Sequence, residues 1–214
     1  MAHPINACFI SYRHPASSGG LEEKLIQHVV RAIKDHFEVI THEHQVYFDQ
    51  DRLVPGYQYD ERLAKAICRS ACMVVVYWPS YLESDYCKKE LYTMLSIERR
   101  RRQVLGAQLQ GCRLFIPIIL RGRLDDLPED LRDGCQYLDY KAQATRHDFN
   151  IGDDPKMSER LFEIAEYVKG LCDTMKQSQS ALFSQCEQFV FAAHPAAAGG
   201  TAEVAVPTQP FPGR

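Results

Sequence analysis

Three short segments hold the residues whose types and spacing can do chemistry. The first centres on Glu90. Cys87, Leu91, Met94 and Leu95 recur at helical spacing, and Glu90 stands three after Cys87 and four before Met94, at the border of that apolar stripe. Tyr86 lies one turn earlier on the same face. A carboxylate beside a core, near a helix start, can serve as a pKa-tuned or charge-stabilising group. It can equally be a rim glutamate that pairs with Lys88 or Lys89 or complements the helix dipole, and periodicity alone favours that plainer role. The second segment runs from Asp49 to Gly56. Asp49 can accept from backbone amides, Arg52 suits a phosphate or carboxylate, and Pro55-Gly56 fixes a turn; ordinary turn chemistry is the plainer reading. The third is Ser11-Tyr12-Arg13, where an aromatic and a guanidinium at a strand's end can stack on and charge-pair a nucleotide, or merely pack a strand terminus. Ser17 to Gly20 offers amide donors before a helix but matches no glycine-rich phosphate fingerprint.

These residues need elements to position them. NACFISY (6–12) reads as a buried strand, and Arg13 to Gly20 as a loop. Leu21, Leu25, Val29, Ile33 and Phe37, widened by Ile26 and Val30, predict an amphipathic helix. Val46 to Phe48 is a second short strand. Tyr59, Leu63, Ala66 and Ile67 mark a second helix, and ACMVVVYW (71–78) is an apolar run fit for a central parallel strand covered on both faces. Ser80-x-x-Glu83 matches a capping box, with Ser84 a second possible cap, before a helix to about Gln103. CRLFIPIIL (112–120) is a further strand, whose Pro117 argues for an edge or irregularity. Tyr137 to Tyr140 is a short last strand, and Ser158 to Met175 a last helix. Such alternation predicts an α/β fold, a flavodoxin-like doubly wound five-stranded parallel sheet. In that architecture ligands sit beyond the strands' carboxyl ends, which here means the loops 13–20, 49–57 and 79–86.

Composition sets the outer bounds. Of 214 residues, 45% are hydrophobic and 25% charged, which is an ordinary globular balance. A net charge of -3 disfavours nucleic-acid binding. No apolar run predicts a membrane span, and MAHPINACFI lacks the features of a signal peptide, so a cytoplasmic location is expected. The eight cysteines share no metal spacing and read as reduced, mostly buried thiols. The eight histidines show no ligand spacing, so no metal is expected; His42 and His44 read as surface residues. Arg99 to Arg102 reads as a solvated basic face complementing a helix dipole. The domain is expected to span 1–176, followed at 177–214 by one or two helical turns and an Ala/Pro/Gly-rich disordered tail or linker.

Taken together, the three segments resemble the Toll/interleukin-receptor (TIR) domain family. FISYR at 9–13 looks like that family's first box, and VYFDQDRLVPG at 46–56 like its second strand and BB loop. S-x-Y-C-x-x-E-L at 84–91 is similar to its third-helix signature S-x-W-C-x-x-E-L, with Tyr86 in place of tryptophan, and LFIPIIL fits its fourth strand. The resemblance covers about residues 5–175. It implies either a prokaryotic NAD-cleaving enzyme or a non-enzymatic adaptor or host-mimicking effector acting by TIR–TIR contacts. In the enzymatic branch Glu90 would be catalytic, and Ser11, Tyr12, Arg13, Phe48, Asp49, Arg52, Leu53, Trp78 and Tyr86 would bind the substrate. NAD would be the substrate, with no separate cofactor. The product would be ADP-ribose or a cyclic isomer, in an antiphage defence role, with a downstream effector or activating partner. Self-association would run through the BB loop, 49–57.

Overall fold

The computed structural model describes residues 5–15, 20–41, 44–48, 59–132, 137–145 and 154–191. The BB-loop segment 49–58, the expected tail from 192, and His42 lie outside the described residues.

Five strands form one parallel sheet in the order β2-β1-β3-β4-β5. They are β1 (Asn6–Tyr12), β2 (Val46–Phe48), β3 (Ser70–Tyr77), β4 (Phe115–Ile119) and β5 (Leu138–Asp139). This is the flavodoxin-like order expected from the alternation of elements. The valine-rich β3 is buried at every position, because it pairs with β1 and β4 and is covered above and below. Pro117 sits inside β4, opposite Val75 of β3. Leu120 N–H donates to Tyr77 of β3, while Ile119 C=O accepts from Tyr140, so odd-numbered residues of β4 turn their polar groups toward β5. β5 pairs only with Ile118 and Ile119, so the N–H that Pro117 lacks is one its neighbour strand does not reach.

Among the described residues six α-helices accompany the sheet: α1 (Leu21–Thr41), α2 (Tyr59–Arg69), α3 (Asp85–Leu105), the single turn α4 (Glu129–Arg132), α5 (Pro155–Lys176) and α6 (Gln179–Phe183). α1 and α5 pack together, as do α2 and α3. α1 runs four residues past its expected end at Phe37, and Thr41 Oγ1 closes it, its one proton shared between the Phe37 and His44 carbonyl oxygens at 2.8 and 3.0 Å. His44 is buried rather than on the surface, its Nδ1 2.9 Å from the Ile5 carbonyl oxygen. Asp154 caps α5 by accepting from Lys156 and Met157 N–H, with Pro155 in the first turn, so this helix starts three residues before Ser158.

Two expectations are corrected by packing. The Arg99–Arg102 quartet is a solvated face only in part, with Arg99 exposed. Arg101 is only 2% exposed, and its guanidinium donates to the carbonyls of Cys68, Ser70 and Ala71 at 2.7, 2.7 and 3.0 Å. It thereby satisfies backbone oxygens where α2 runs directly into β3. Arg102 ties Glu98 to the carbonyls of Leu109 and Cys112. Nor are all the cysteines free, since Cys68 and Cys186 form a disulfide. The bond fastens the helical turns beyond residue 176 onto α2, and Leu182, Phe183, Cys186 and Phe189 join the domain's core. Arg69 pairs with Glu187 there, and Arg101 lies over the Phe183 ring at 5.0 Å. Five of the remaining cysteines are free, four of them buried. Among the described residues no helix is long and apolar enough to cross a membrane.

Candidate active site

The sheet reverses its winding between β1 and β3, and the crevice beyond their carboxyl ends is where this architecture holds ligands. Ser11 is the penultimate residue of β1 there, with Val75 of β3 as its register partner. Successive strand residues face opposite sides, so Ser11 points toward α3 and Tyr12 toward α1. Glu90 comes up from the second turn of α3 to meet Ser11. Ser11 Oγ donates to Glu90 Oε2 at 2.5 Å, and Tyr81 Oη lies 2.7 Å from the same Oγ. Glu90 is 8% exposed, Ser11 1% and Tyr81 0%. The apolar stripe of α3 accounts for the depth: Cys87, Leu91 and Met94 are buried around Glu90, which therefore enters the stripe and is no rim residue. Burial, reinforced by the Glu90 charge, pushes the Cys87 thiol up to about 12, so it stays protonated and inert at neutral pH.

The segment that carries Tyr81 differs from the expected helix start. Pro79–Glu83 is a 3₁₀ turn, and Ser84, not Ser80, caps α3 by accepting from Cys87 N–H at 3.3 Å. Proline at the first position of that turn separates it from β3 and leaves Ser84 as the residue with extended backbone before the helix. Ser80 instead reaches Glu22 of α1 at 3.2 Å. The turn also receives Arg13, whose Nη1 donates to the Ser80 carbonyl at 2.7 Å and to Glu83 Oε2 at 2.6 Å. The guanidinium expected to charge-pair a nucleotide is thus engaged within the protein.

The other expected residues divide into groups. Trp78 stands between β3 and the turn, with the Arg121 guanidinium 5.8 Å from its ring. Tyr86 is 38% exposed, one turn before Glu90, with Lys89 Nζ 5.0 Å from its ring centroid. Tyr12 and Phe48 lie on the opposite side of the sheet from Glu90, lining with His14, Glu23 and Lys34 a cavity of about 460 Å³ against α1. Lys34 Nζ sits 3.3 Å above the Phe48 ring. Asp49, Arg52 and Leu53 lie outside the described residues. The structure therefore brings Ser11 and Glu90 into direct contact, keeps Tyr86 on the same helix, and sets Tyr12 and Phe48 apart. Tyr81 is the member of the cluster that sequence reading missed; its signal was an aromatic in the loop at the carboxyl end of β3.

A buried carboxylate receiving a serine hydroxyl at a sheet's switch point can hold a developing cation or a sugar hydroxyl. The TIR domain family model matches residues 8–151. Among solved structures, the chain is similar to a metazoan TIR-STING receptor from C. gigas at 20% identity and TM-score 0.47, covering 77% of this chain and 42% of that one. The same receptor in complex with 2',3'-cGAMP gives 21% identity and TM-score 0.47, with 77% and 41% covered. The TIR domains of the activated Roq1 resistosome directly recognizing the pathogen effector XopQ give 19% identity and TM-score 0.35, with 86% and 98% covered. The chain spans less than half the length of the receptor chains it matches. No curated protein matches it. With the family model covering most of the sequence, from β1 to the approach of α5, this chain belongs to the TIR domain family.

Proposed function

We propose that the chain is a TIR-type NAD glycohydrolase or ADP-ribosyl cyclase, with Glu90 as its catalytic carboxylate. The observation that carries this reading is the nearly complete burial of Glu90 beside the carboxyl end of β1, at the sheet's switch point, where Ser11 donates to it at 2.5 Å. NAD bears a cationic nicotinamide on an anomeric carbon. Departure of neutral nicotinamide discharges the ring and builds oxocarbenium character on the ribose. A fixed carboxylate facing that ribose holds its hydroxyls or stabilises the charge, and the second interaction strengthens as the transition state forms. Water then gives ADP-ribose, while an adenine nitrogen of the same molecule gives a cyclic isomer. Tyr86, half-exposed on the turn before Glu90, is placed to stack on a flat ring. Assembly of TIR copies through the loop 49–57, a cytoplasmic and prokaryotic setting, and a role in antiphage signalling complete the proposal by family resemblance. Purified protein incubated with NAD, with a crowding agent present, tests it: nicotinamide and ADP-ribose or a cyclic isomer, resolved by chromatography and mass, are expected. Intact NAD under conditions where the protein self-associates would count against it.

A second reading draws on the same burial seen differently. A carboxylate only 8% exposed and tied to a strand serine also describes a structural brace between β1 and α3. The chain would then be an adaptor or host-mimicking effector, and binding to a TIR partner without release of nicotinamide would mark it.

A further inference from the structure

We propose that Tyr81 is a positioning residue for the Glu90 carboxylate and acts through Ser11. The hydrogen-bond geometry assigns the direction. A serine hydroxyl carries one proton, and an ionised carboxylate can only accept. The 2.5 Å contact between Ser11 Oγ and Glu90 Oε2 uses that proton. The 2.7 Å contact between Ser11 Oγ and Tyr81 Oη must therefore be carried by the tyrosine's proton. Were the phenol to accept instead, a serine lone pair would face a carboxylate lone pair at 2.5 Å. Tyr81 thus dictates which way Ser11 points. Burial, reinforced by the neighbouring Cys87 and Glu90 side chains, holds the phenol well above its ordinary range, so it remains a donor through neutral pH.

The anchor itself does not move easily. The Tyr81 ring is fully buried and lies 6.2 Å from Tyr77, tilted 58°. Its N–H donates to Trp78 at 2.8 Å and its carbonyl accepts from Ser84 at 3.2 Å. Ser84 in turn caps the helix that carries Glu90, so one short turn holds both the phenol and the origin of α3. The last torsion of a glutamate is intrinsically broad. A directed bond from a rigid partner restricts the rotation of its carboxylate plane, and misplacement of a reacting group by about 1 Å can cost about 100-fold in rate.

The kinetic consequence rests on Glu90 being catalytic; the positioning does not. Full-length protein carrying Tyr81→Phe, Ser11→Ala, or both separates the two. Tyr81→Phe keeps the ring, and should lower kcat for NAD about tenfold with KM unchanged, while Ser11→Ala lowers it about 100-fold. The double variant should be no slower than Ser11→Ala alone, because the phenol works only through the serine. Independently of turnover, the Glu90 Cδ resonance of ¹³C-glutamate-labelled protein, identified by its loss in Glu90→Gln, should move in both single variants. Should the wild type cleave no NAD, the enzymatic reading fails and the resonance alone decides the positioning. A Glu90 resonance unmoved by Tyr81→Phe, or a double variant slowed by the product of the two single losses, would overturn the proposal.

Discussion

A carboxylate taken out of water is costly unless polar groups meet it. At Glu90 the serine hydroxyl does so, and the cost is accepted where a sheet of this topology opens its ligand crevice. Helical spacing put Glu90 at the border of an apolar stripe, which by itself favoured a rim residue; its functional role was legible only through the resemblance of S-x-Y-C-x-x-E-L to the TIR third-helix signature. Its depth and its partner were not, since Ser11 lies 79 positions away and no local pattern reports a contact across that span. Gly122 shows a second constraint at the same scale. It adopts φ +83°, and a Cβ there would meet Asp126 Oδ2 at 2.9 Å and the Tyr77 ring at 3.0 Å. Gly122→Ala is expected to destabilise the protein by about 2 kcal/mol, measured by urea denaturation; an unchanged midpoint would show that the loop after β4 yields.

Between elements, the strands and helices followed from hydrophobic period, and the sheet order from the alternation of types. The junctions did not follow. A Ser-x-x-Glu pattern at 80–83 satisfies the capping-box spacing, yet Pro79 starts a 3₁₀ turn and hands the cap to Ser84. The arginines at the end of α3 have the composition of a solvated face, but Arg101 turns inward because α2 passes into β3 with no intervening loop and leaves carbonyls to be met. A guanidinium bonded to three buried carbonyls has no apolar substitute. Arg101→Met should therefore cost about 3 kcal/mol, read as a lowered urea midpoint at constant m-value. A loss below about 0.5 kcal/mol, the size expected of a surface substitution, would return Arg101 to the role its composition suggested.

For the whole molecule, the reading of α/β class and strand order stands, and the last described segment is where it changes. Residues 179–191 contribute Leu182, Phe183, Cys186 and Phe189 to the core, with Cys186 bonded to Cys68 across 118 positions. Nothing in cysteine spacing pairs residues so distant, and an even count permits many pairings. Closing a loop of that length stabilises by about 5 kcal/mol in chain-entropy terms. Alkylation of the unreduced, unfolded protein should leave Cys68 and Cys186 unmodified while labelling Cys8, Cys72, Cys87, Cys112 and Cys172, and Cys68→Ser with Cys186→Ser should lower the thermal midpoint. Full labelling of Cys68 and Cys186 would restore the all-thiol reading.

The claim on which the account turns is that Glu90 reacts, and does not merely brace β1 against α3. Nicotinamide release by wild-type and Glu90→Gln protein, compared at equal concentration and matched far-UV circular dichroism, tests it most directly. The amide keeps the shape and loses the charge, so turnover should fall by about 100- to 1,000-fold, in line with the loss of one well-placed electrostatic group. Wild-type turnover retained by a folded Glu90→Gln variant would contradict the assignment.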